Sequence, residues 1–599
     1  MLFFVTCARH QADVIPPPPK DELVLKESYP SSYPFEMSMD NFAGECPVVE
    51  GDISSDESIV AGVAEGPPEP SSEVEEEIPV LEPKKAEVRK AYVEPTLKIL
   101  IIEGANSITM KSESDIVLTS GDSTTKIRPG QKIKFKARSA RVGVHTYPVG
   151  IATFRGTAYE KAIDFAEKWK HDGYTVRLIK AGGPFVHADG SVADTTVYWV
   201  ALGSFKKKTD AARFKDKMNS WGLSAWVIDE SVMNSEGNIE ITDSRGAIYA
   251  YANSHVAISA DQPIEIDDVP FGNGFWSSGY CENRRYTSPL EIYVNGEGEL
   301  AAINLVGLEE YVKGIVPVEI RLIAPDEALK AQAIAARTEA LAKLGIRHVF
   351  DPYDYCASQH CQEYGGLTRR TERTDAAVDA TKGMVLMRDG NLIEAVYSAN
   401  CGGHSEHNEN VWSSRINKSL RGVSDLYSNQ ESFDSPIPDS QLERWLKTKP
   451  HAYCGDPRAD GGGNFRWKRT FSLKKLTAAV NEYYNVGSIR SIKVLKRGVS
   501  GRVLKLRIGG TRTGVTIYKE LEIRRVLGKL KSTMFVVDVK RDSAGVPVSF
   551  TFYGGGWGHG VGMCQAGAEG MALQGFDHAA ILKHYFTGAE IVKLYDGMQ

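Results

Sequence analysis

The chain of 599 residues is long enough for about four structural units of roughly 150 residues and too long for one small module. Hydrophobic residues at 42% and charged residues at 25% fit a globular protein, and eight cysteines in this length exclude a disulfide-built miniprotein. A net charge of −6 argues against a nucleic-acid binder, and no stretch reaches the roughly 18 apolar residues that a membrane-spanning helix needs.

The first apolar run, Leu2-Phe3-Phe4-Val5, is shorter than the roughly 7–15 residues of a secretory signal core. Cys7 follows it. A cysteine after an apolar stretch, with a long polar segment behind it, reads as the end of a lipoprotein signal with Cys7 as lipid anchor; the alternative is an incidental cysteine. Residues 1–94 read as a disordered tether. They are rich in Pro, Glu and Ser, as in PPEPSSEVEEE (67–77), and cannot bury enough apolar surface to offset chain entropy.

Folded sequence starts near Leu97. LKILIIEG (97–104), SDIVLTSG (114–121) and KIKFKA (132–137) make residues 95–140 a β-rich segment. An internal repeat occupies 141–233. YPVGIATF (147–154) matches YWVALGSF (198–205), and Ala162, Phe165 and Gly173 match Ala211, Phe214 and Gly222. Each copy reads strand, amphipathic helix, glycine turn, strand. The strings VALGSF (200–205) and AARFKDKMNSWGLSAWV (211–227) make this double βαβ unit resemble a SPOR domain. The resemblance implies binding to peptidoglycan glycan, with Trp199, Trp221 and Trp226 as candidate sugar faces against a default of core packing.

Residues 237–599 mix strands with helices. LEIYV (290–294), the Asn295-Gly296 pair and ELAAINLV (299–306) predict a hairpin. LEEYVKG (308–314) predicts a short helix stopped at Gly314. IVPVEI (315–320) then sets Glu319 among apolar residues, where its pKa should rise and keep it protonated near neutrality, as a general acid for glycosidic cleavage requires. A long helix follows, with Pro325, Asp326 and Glu327 at its start and Gly345 past its end. Arg337 flanks its small-residue face, so it should be buried and need an anion.

YCASQHCQEYGG (355–366) crowds Cys356, His360 and Cys361 together, a donor set that suits zinc. A disulfide is the competing reading, within the loop or outward to Cys401 or Cys564, and His348 competes with His360 as the ligand. His404 and His407 also have metal-like spacing, but no zinc-protease helix motif accompanies them. Trp467 is a further stacking candidate, with core as the default.

Four strings, NLVGLEEYVKGIVPVEI (304–320), PDEALKAQAIAARTEA (325–340), YSANCGGHSEHNENVW (397–412) and GGGWGHGVGMCQAGAEGMA (554–572), make residues 240–597 resemble the SpoIID/LytB family. The resemblance implies an α+β fold with a glycan groove. It also implies a lytic transglycosylase acting on peptidoglycan strands stripped of peptide, or, as in family members named amidase enhancers, a wall-binding partner of an amidase. Glu319 matches the family's catalytic acid and Arg337 its important arginine. Arg337 is then a clamp on a substrate carboxylate, or else a structural ion pair with Glu309 or Glu310. Trp557, His559 and Gln565 would contact sugar, and Gly402, Gly403 and His404 would line the same groove. Family members with a similar cysteine insert carry structural zinc held by two cysteines and a histidine, and the chemistry itself requires no cofactor. Such a protein is expected to be exported to the cell envelope or periplasm. One departure is Arg285-Tyr286-Thr287, where the family usually has Tyr-Arg-Gly.

Overall fold

A computed structural model describes residues 94–595, apart from 187–191, 222, 224, 234, 274–277, 413–415, 428–435 and 461–462, together with short strands at Val80–Leu81 and Arg89–Lys90. Cys7 and most of the segment read as a tether lie outside the described residues. The architecture is α+β.

Two sheets form the amino-terminal β unit. The seven-stranded one runs Tyr355–Cys356, Thr96–Ala105, Leu300–Gly307, Leu290–Val294, His255–Ala260, Ile116–Ser120 and Ser123–Ile127. The six-stranded one runs Ile248–Asn253, Glu236–Asp243, Ile133–Arg141, Ser107–Ser112, Ile264–Asn273 and Ser278–Tyr286. Alternation places these strands. In Leu290–Val294 the first, third and fifth residues are buried, and Ile133 and Phe135 face the core while Lys134 and Lys136 face water. Both sheets combine strands from before residue 141 with strands from after 236. The boundary drawn at 237 therefore cuts through a single β unit, and the repeat is an insertion within it. Sequence periodicity marks strands but not their long-range partners, which is why the two halves read as separate segments.

The predicted hairpin forms, with Leu290–Val294 antiparallel to Leu300–Gly307. Its turn is longer than an Asn-Gly pair. The Asn295 side chain accepts the N–H groups of Glu297 and Glu299, and the left-handed position is Gly298 at φ +84°.

The inserted repeat folds as strand–helix–strand twice over. Val144–Arg155, Tyr159–His171 and Val176–Ala181 form the first half, and Val197–Phe205, Lys208–Ser220 and Trp226–Val227 the second. Within a six-stranded sheet these strands run in the order Val176–Ala181, Val197–Phe205, Val144–Arg155, Trp226–Val227 with antiparallel neighbours, a ferredoxin-like arrangement, while Val80–Leu81 adds in parallel to Val176–Ala181 and Glu230–Met233 pairs with Val144–Arg155. Trp199 and Trp226 are core residues, each 8% exposed and packed edge-to-face at 5.9 Å. A Cβ on Gly150 would overlap the Trp226 ring, so that glycine permits the contact. Trp221 is half-buried under Lys217. The unit leans on the segment before the cysteine loop: Ile346, Val349 and Phe350 join its core, and Gly182 N–H donates to Gly345 O at 2.8 Å.

The helical layer follows the β unit. Leu308–Glu319, Asp326–Lys343, Glu372–Ala380, Gln565–Leu573 and His578–Tyr585 pack with a small sheet of Met384–Arg388, Asn391–Leu392 and Glu590–Lys593. Ala328, Ala331, Ala335 and Ala336 let neighbours approach Asp326–Lys343 closely, so this helix is buried almost all round. Residues 466–555 add two three-stranded sheets around their own apolar core.

Candidate functional site around Glu319

The helix that carries Glu319 starts where the Leu300–Gly307 strand ends. Glu309 and Glu310 in its first turn suit the positive end of its dipole. It does not stop at Gly314 but runs from Leu308 to Glu319 with Pro317 inside its last turn. Gly314 answers a packing demand instead: a Cβ there would lie 2.4 Å from the Tyr364 ring. Leu308, Tyr311, Val312, Ile315 and Val316 bury one face, and the helix delivers Glu319 at its carboxyl end.

Glu319 is half-buried, and removal from water raises its pKa above the usual carboxylate range. Hydrogen bonds from the Glu363 N–H, Tyr397 and Gln565 oppose that rise without cancelling it. The Glu363 N–H donates to Glu319 Oε1 at 2.9 Å. Gln565 Nε2 donates to the Glu319 main-chain oxygen at 2.7 Å and to Gln332 Oε1 at 3.2 Å. Tyr397 O–H donates to Gln362 Oε1 at 2.8 Å. Gln565 thus holds the end of the acid helix.

A second carboxyl group, Glu363, lies beside Glu319. Glu363 is 8% exposed, and burial, then the charge of Glu319, pushes its pKa up to about 7. Its Oε2 has no hydrogen-bond partner among the described residues. The negative charge on either of two neighbouring carboxyls disfavours ionisation of the other. The available signal was its position two residues after Cys361, within an aromatic and glycine-rich run.

Arg337 lies elsewhere. It is fully buried and grips Glu309 with both arms of its guanidinium, Nε to Oε1 at 2.8 Å and Nη2 to Oε2 at 2.6 Å. Nη1 donates to Met384 O at 3.1 Å and Nη2 also reaches Val378 O at 3.4 Å. Glu309 further accepts from Gly383 N–H and Tyr595 O–H. This geometry matches the ion-pair reading with Glu309, with the guanidinium fully buried. Glu310 pairs instead with Arg370 and Lys313.

The two glycine-rich strings meet each other more than they meet solvent. Tyr397–Ser398 pairs in parallel with Met563–Cys564, and Asn400 bridges to Trp557. Gly402 and Gly403 have φ of +76° and +98°, and added Cβ atoms would strike the 555–556 backbone and Trp445. Both are buried packing positions, as is His404, 2% exposed with Nδ1 donating to Ser405 O at 2.7 Å. His559 is 3% exposed against Trp412, with Nδ1 accepting the Val561 N–H at 3.0 Å. Burial and then the charge of Arg502 push its pKa down to about 3, so the imidazole is neutral. Gly402, Gly403, His404 and His559, expected to face sugar, are thus buried among protein atoms, because glycines that admit a close ligand also admit a close backbone. Trp557 stays half-buried, with Lys531 Nζ 5.2 Å from its ring centroid. Trp467 donates to Gly556 O and fills the space over Gly554.

Beside the carboxylates, four donors converge. His348 Nε2 lies 3.3 Å from Cys361 Sγ, and His360 Nδ1 lies 3.6 Å from Cys356 Sγ and 3.5 Å from Cys361 Sγ. All four donor atoms fall within 4.8 Å of one another. Both histidines, between which sequence spacing could not choose, join the cluster. The cysteines are thiols, and Cys401 and Cys564 lie together elsewhere with Cys454. Two thiols and two imidazoles at this separation form a donor set that fits a tetrahedral metal ion.

Residues 296–387, which contain Glu319, Glu363 and this cluster, match the family model described as Stage II sporulation protein. This part of the chain is thus similar to the SpoIID family. Residues 406–562 match a second model, a domain of unknown function, DUF8618. An uncharacterized protein of Brachyspira hyodysenteriae is 29% identical over 293 residues, 49% of this chain and 68% of that one. The amidase enhancer of Bacillus subtilis is 28% identical across 47% of this chain and 40% of its own length. Stage II sporulation protein D of Bacillus amyloliquefaciens is 28% identical across 51% of this chain and 79% of its own. The SpoIID homology and the amidase-enhancer relative support a role connected with the cell wall.

Proposed function

We propose that this chain is a lytic transglycosylase that cleaves peptidoglycan strands between N-acetylmuramic acid and N-acetylglucosamine. The observation that carries the reading is Glu319: a carboxyl at a helix end whose pKa burial raises, with a second high-pKa carboxyl, Glu363, beside it. Glu319 gives its proton to the oxygen leaving C1 of the muramic sugar. Positive charge grows at C1, where an ionised Glu363 would stabilise it. The sugar's own 6-hydroxyl closes onto C1 and yields its proton to Glu319. The bond to the leaving oxygen breaks, the bond from O6 to C1 forms, and the product is a 1,6-anhydro end. No water is consumed, and holding the nucleophile within the same sugar supplies the proximity advantage.

His348, Cys356, His360 and Cys361 would hold a zinc ion. Zinc there would supply bracing, because Cys361 lies two residues from Glu363 and anchoring the loop fixes both the carboxyl and the N–H that Glu319 accepts. The ferredoxin-like unit is read as a glycan-binding module of the SPOR type, with Trp221 its remaining sugar-face candidate. Export to the envelope, with a lipid on Cys7, completes the reading. A second reading is favoured by the amidase-enhancer relative: a wall-binding protein that stimulates an amidase.

One digest separates these readings. Glycan stripped of stem peptides is incubated with the chain and the ends are identified by mass spectrometry. Anhydro ends support the transglycosylase, and reducing ends support hydrolysis with Glu363 activating water. No cleavage, together with faster release of peptides by an added amidase, supports the enhancer. Glu319→Gln should abolish cleavage while leaving the melting midpoint unchanged; an active variant would remove Glu319 from the acid's role.

A further inference from the structure

A second group of donors lies in the interior, made from residues far apart in sequence. Cys401 follows the Tyr397–Ser398 strand, Cys454 sits in the Tyr453–Gly455 turn, and Cys564 caps the Gln565–Leu573 helix. Asp425 completes the group. All four are buried, none more than 1% exposed, and their donor atoms lie within 4.8 Å of one another. We propose that Cys401, Cys454, Cys564 and Asp425 form a second metal centre, which binds a zinc-like divalent cation and clasps the three segments that back the Glu319 site.

The geometry carries this. Zinc–sulfur bonds of about 2.3 Å place tetrahedral thiolates about 3.8 Å apart, and Cys401 Sγ stands 3.6 Å from Cys454 Sγ. The surrounding hydrogen bonds orient each donor as ligands need to be oriented. Cys564 Sγ accepts the N–H groups of Cys401 at 3.1 Å and Gly567 at 3.3 Å, the latter at a helix amino end. Asp425 Oδ1 accepts the Tyr585 O–H at 2.6 Å and Oδ2 the Cys454 N–H at 2.9 Å, which leaves a lone pair on each oxygen. The neighbouring imidazole, His584 Nε2, is 3.6 Å from Asp425 Oδ1. Asn400 ties the same segments together through Cys454 O and Gly402 N–H. On binding, three thiols release their protons to solvent and the cation takes three sulfurs and one carboxylate oxygen. The residue after Cys564 is Gln565, which holds the Glu319 carbonyl, so the clasp sits immediately behind the acid.

The test uses the full chain in the Cys356→Ser/Cys361→Ser background, which removes both thiols of the other cluster. After purification with zinc and dialysis against a weak chelator, elemental analysis should give about one equivalent of zinc per chain, falling to near zero on adding Cys454→Ser. Cobalt exchanged into the background variant should show a thiolate-to-cobalt absorption band that Cys454→Ser abolishes. Because Cys454→Ser can fail by unfolding, wild-type protein is also alkylated before and after a strong chelator, with peptide mass spectrometry. The expected result is that Cys401, Cys454 and Cys564 become reactive only after metal removal. A disulfide among these three cysteines, or metal-free protein with all three alkylated alike before and after chelation, overturns the proposal.

Discussion

Replacing Arg337 tests whether this arginine handles substrate or holds the fold. Arg337→Met keeps side-chain length and removes charge and donors. Glu309 is then left almost fully buried, with Gly383 N–H and Tyr595 O–H as its remaining partners. Breaking a buried pair on one side costs about 3–5 kcal/mol. The upper half of that range applies here, because both guanidinium arms bind Glu309 and two main-chain carbonyls lose a donor. At about 2–4 °C per kcal/mol for a cooperative unit of 150–250 residues, the midpoint should fall by on the order of 10 °C. Arg337→Lys keeps the charge but not the fork and should fall part-way. Glu309→Met/Arg337→Met should be less damaged than the single variant, though still below wild type, because Gly383 and Tyr595 lose their acceptor at about 1–3 kcal/mol each. Calorimetry gives the midpoints, and the glycan digest well below the transition gives kcat/KM. An Arg337→Met protein with an unchanged midpoint and a collapsed kcat/KM would refute the brace and restore the clamp.

Glu363→Gln removes one of two carboxyls that oppose each other's ionisation. Glu319 then ionises at lower pH, so the falling alkaline limb of the kcat/KM profile should move toward acid; an unmoved limb would show the pair uncoupled. His559 is held neutral with its pKa near 3 against 6.5 in the unfolded chain, so the stability it confers is complete above pH 6.5 and is lost as pH falls toward 3. Between pH 7 and 5 that loss is about 2 kcal/mol, and His559→Gln should remove it, which denaturant titrations of variant and wild type at both pH values would detect as a difference that narrows in acid. Gly562→Ala should cost at least about 2 kcal/mol, since φ is +70° and the new Cβ would meet Val396 O at 2.0 Å; a melting midpoint equal to wild type would contradict the packing.

What the sequence made legible was local chemistry. Glu319 stood out because its neighbours in the chain are also its neighbours in space, at the end of a helix with an apolar face. Arg337 was readable as a buried cation, and Glu309 as one of two partners, because helix periodicity brings charged residues onto countable faces. Glu363 was not readable. It reaches Glu319 only because the cysteine loop folds back over the helix end, a contact that no period encodes. The same limit explains the glycine strings. A glycine in sequence can mark a turn or a close approach without naming the neighbour, and the parallel pairing of Tyr397–Ser398 with Met563–Cys564 shows that what comes close to Gly556, Gly558 and Gly562 is the 396–402 chain. That pairing also carries Gln565 to the Glu319 carbonyl and Cys564 to Cys401 and Cys454. One two-residue bridge thus joins the acid to the buried thiols. A change that opens the thiol cluster should therefore be felt at Glu319 through Gln565 before any atom of the acid helix is touched.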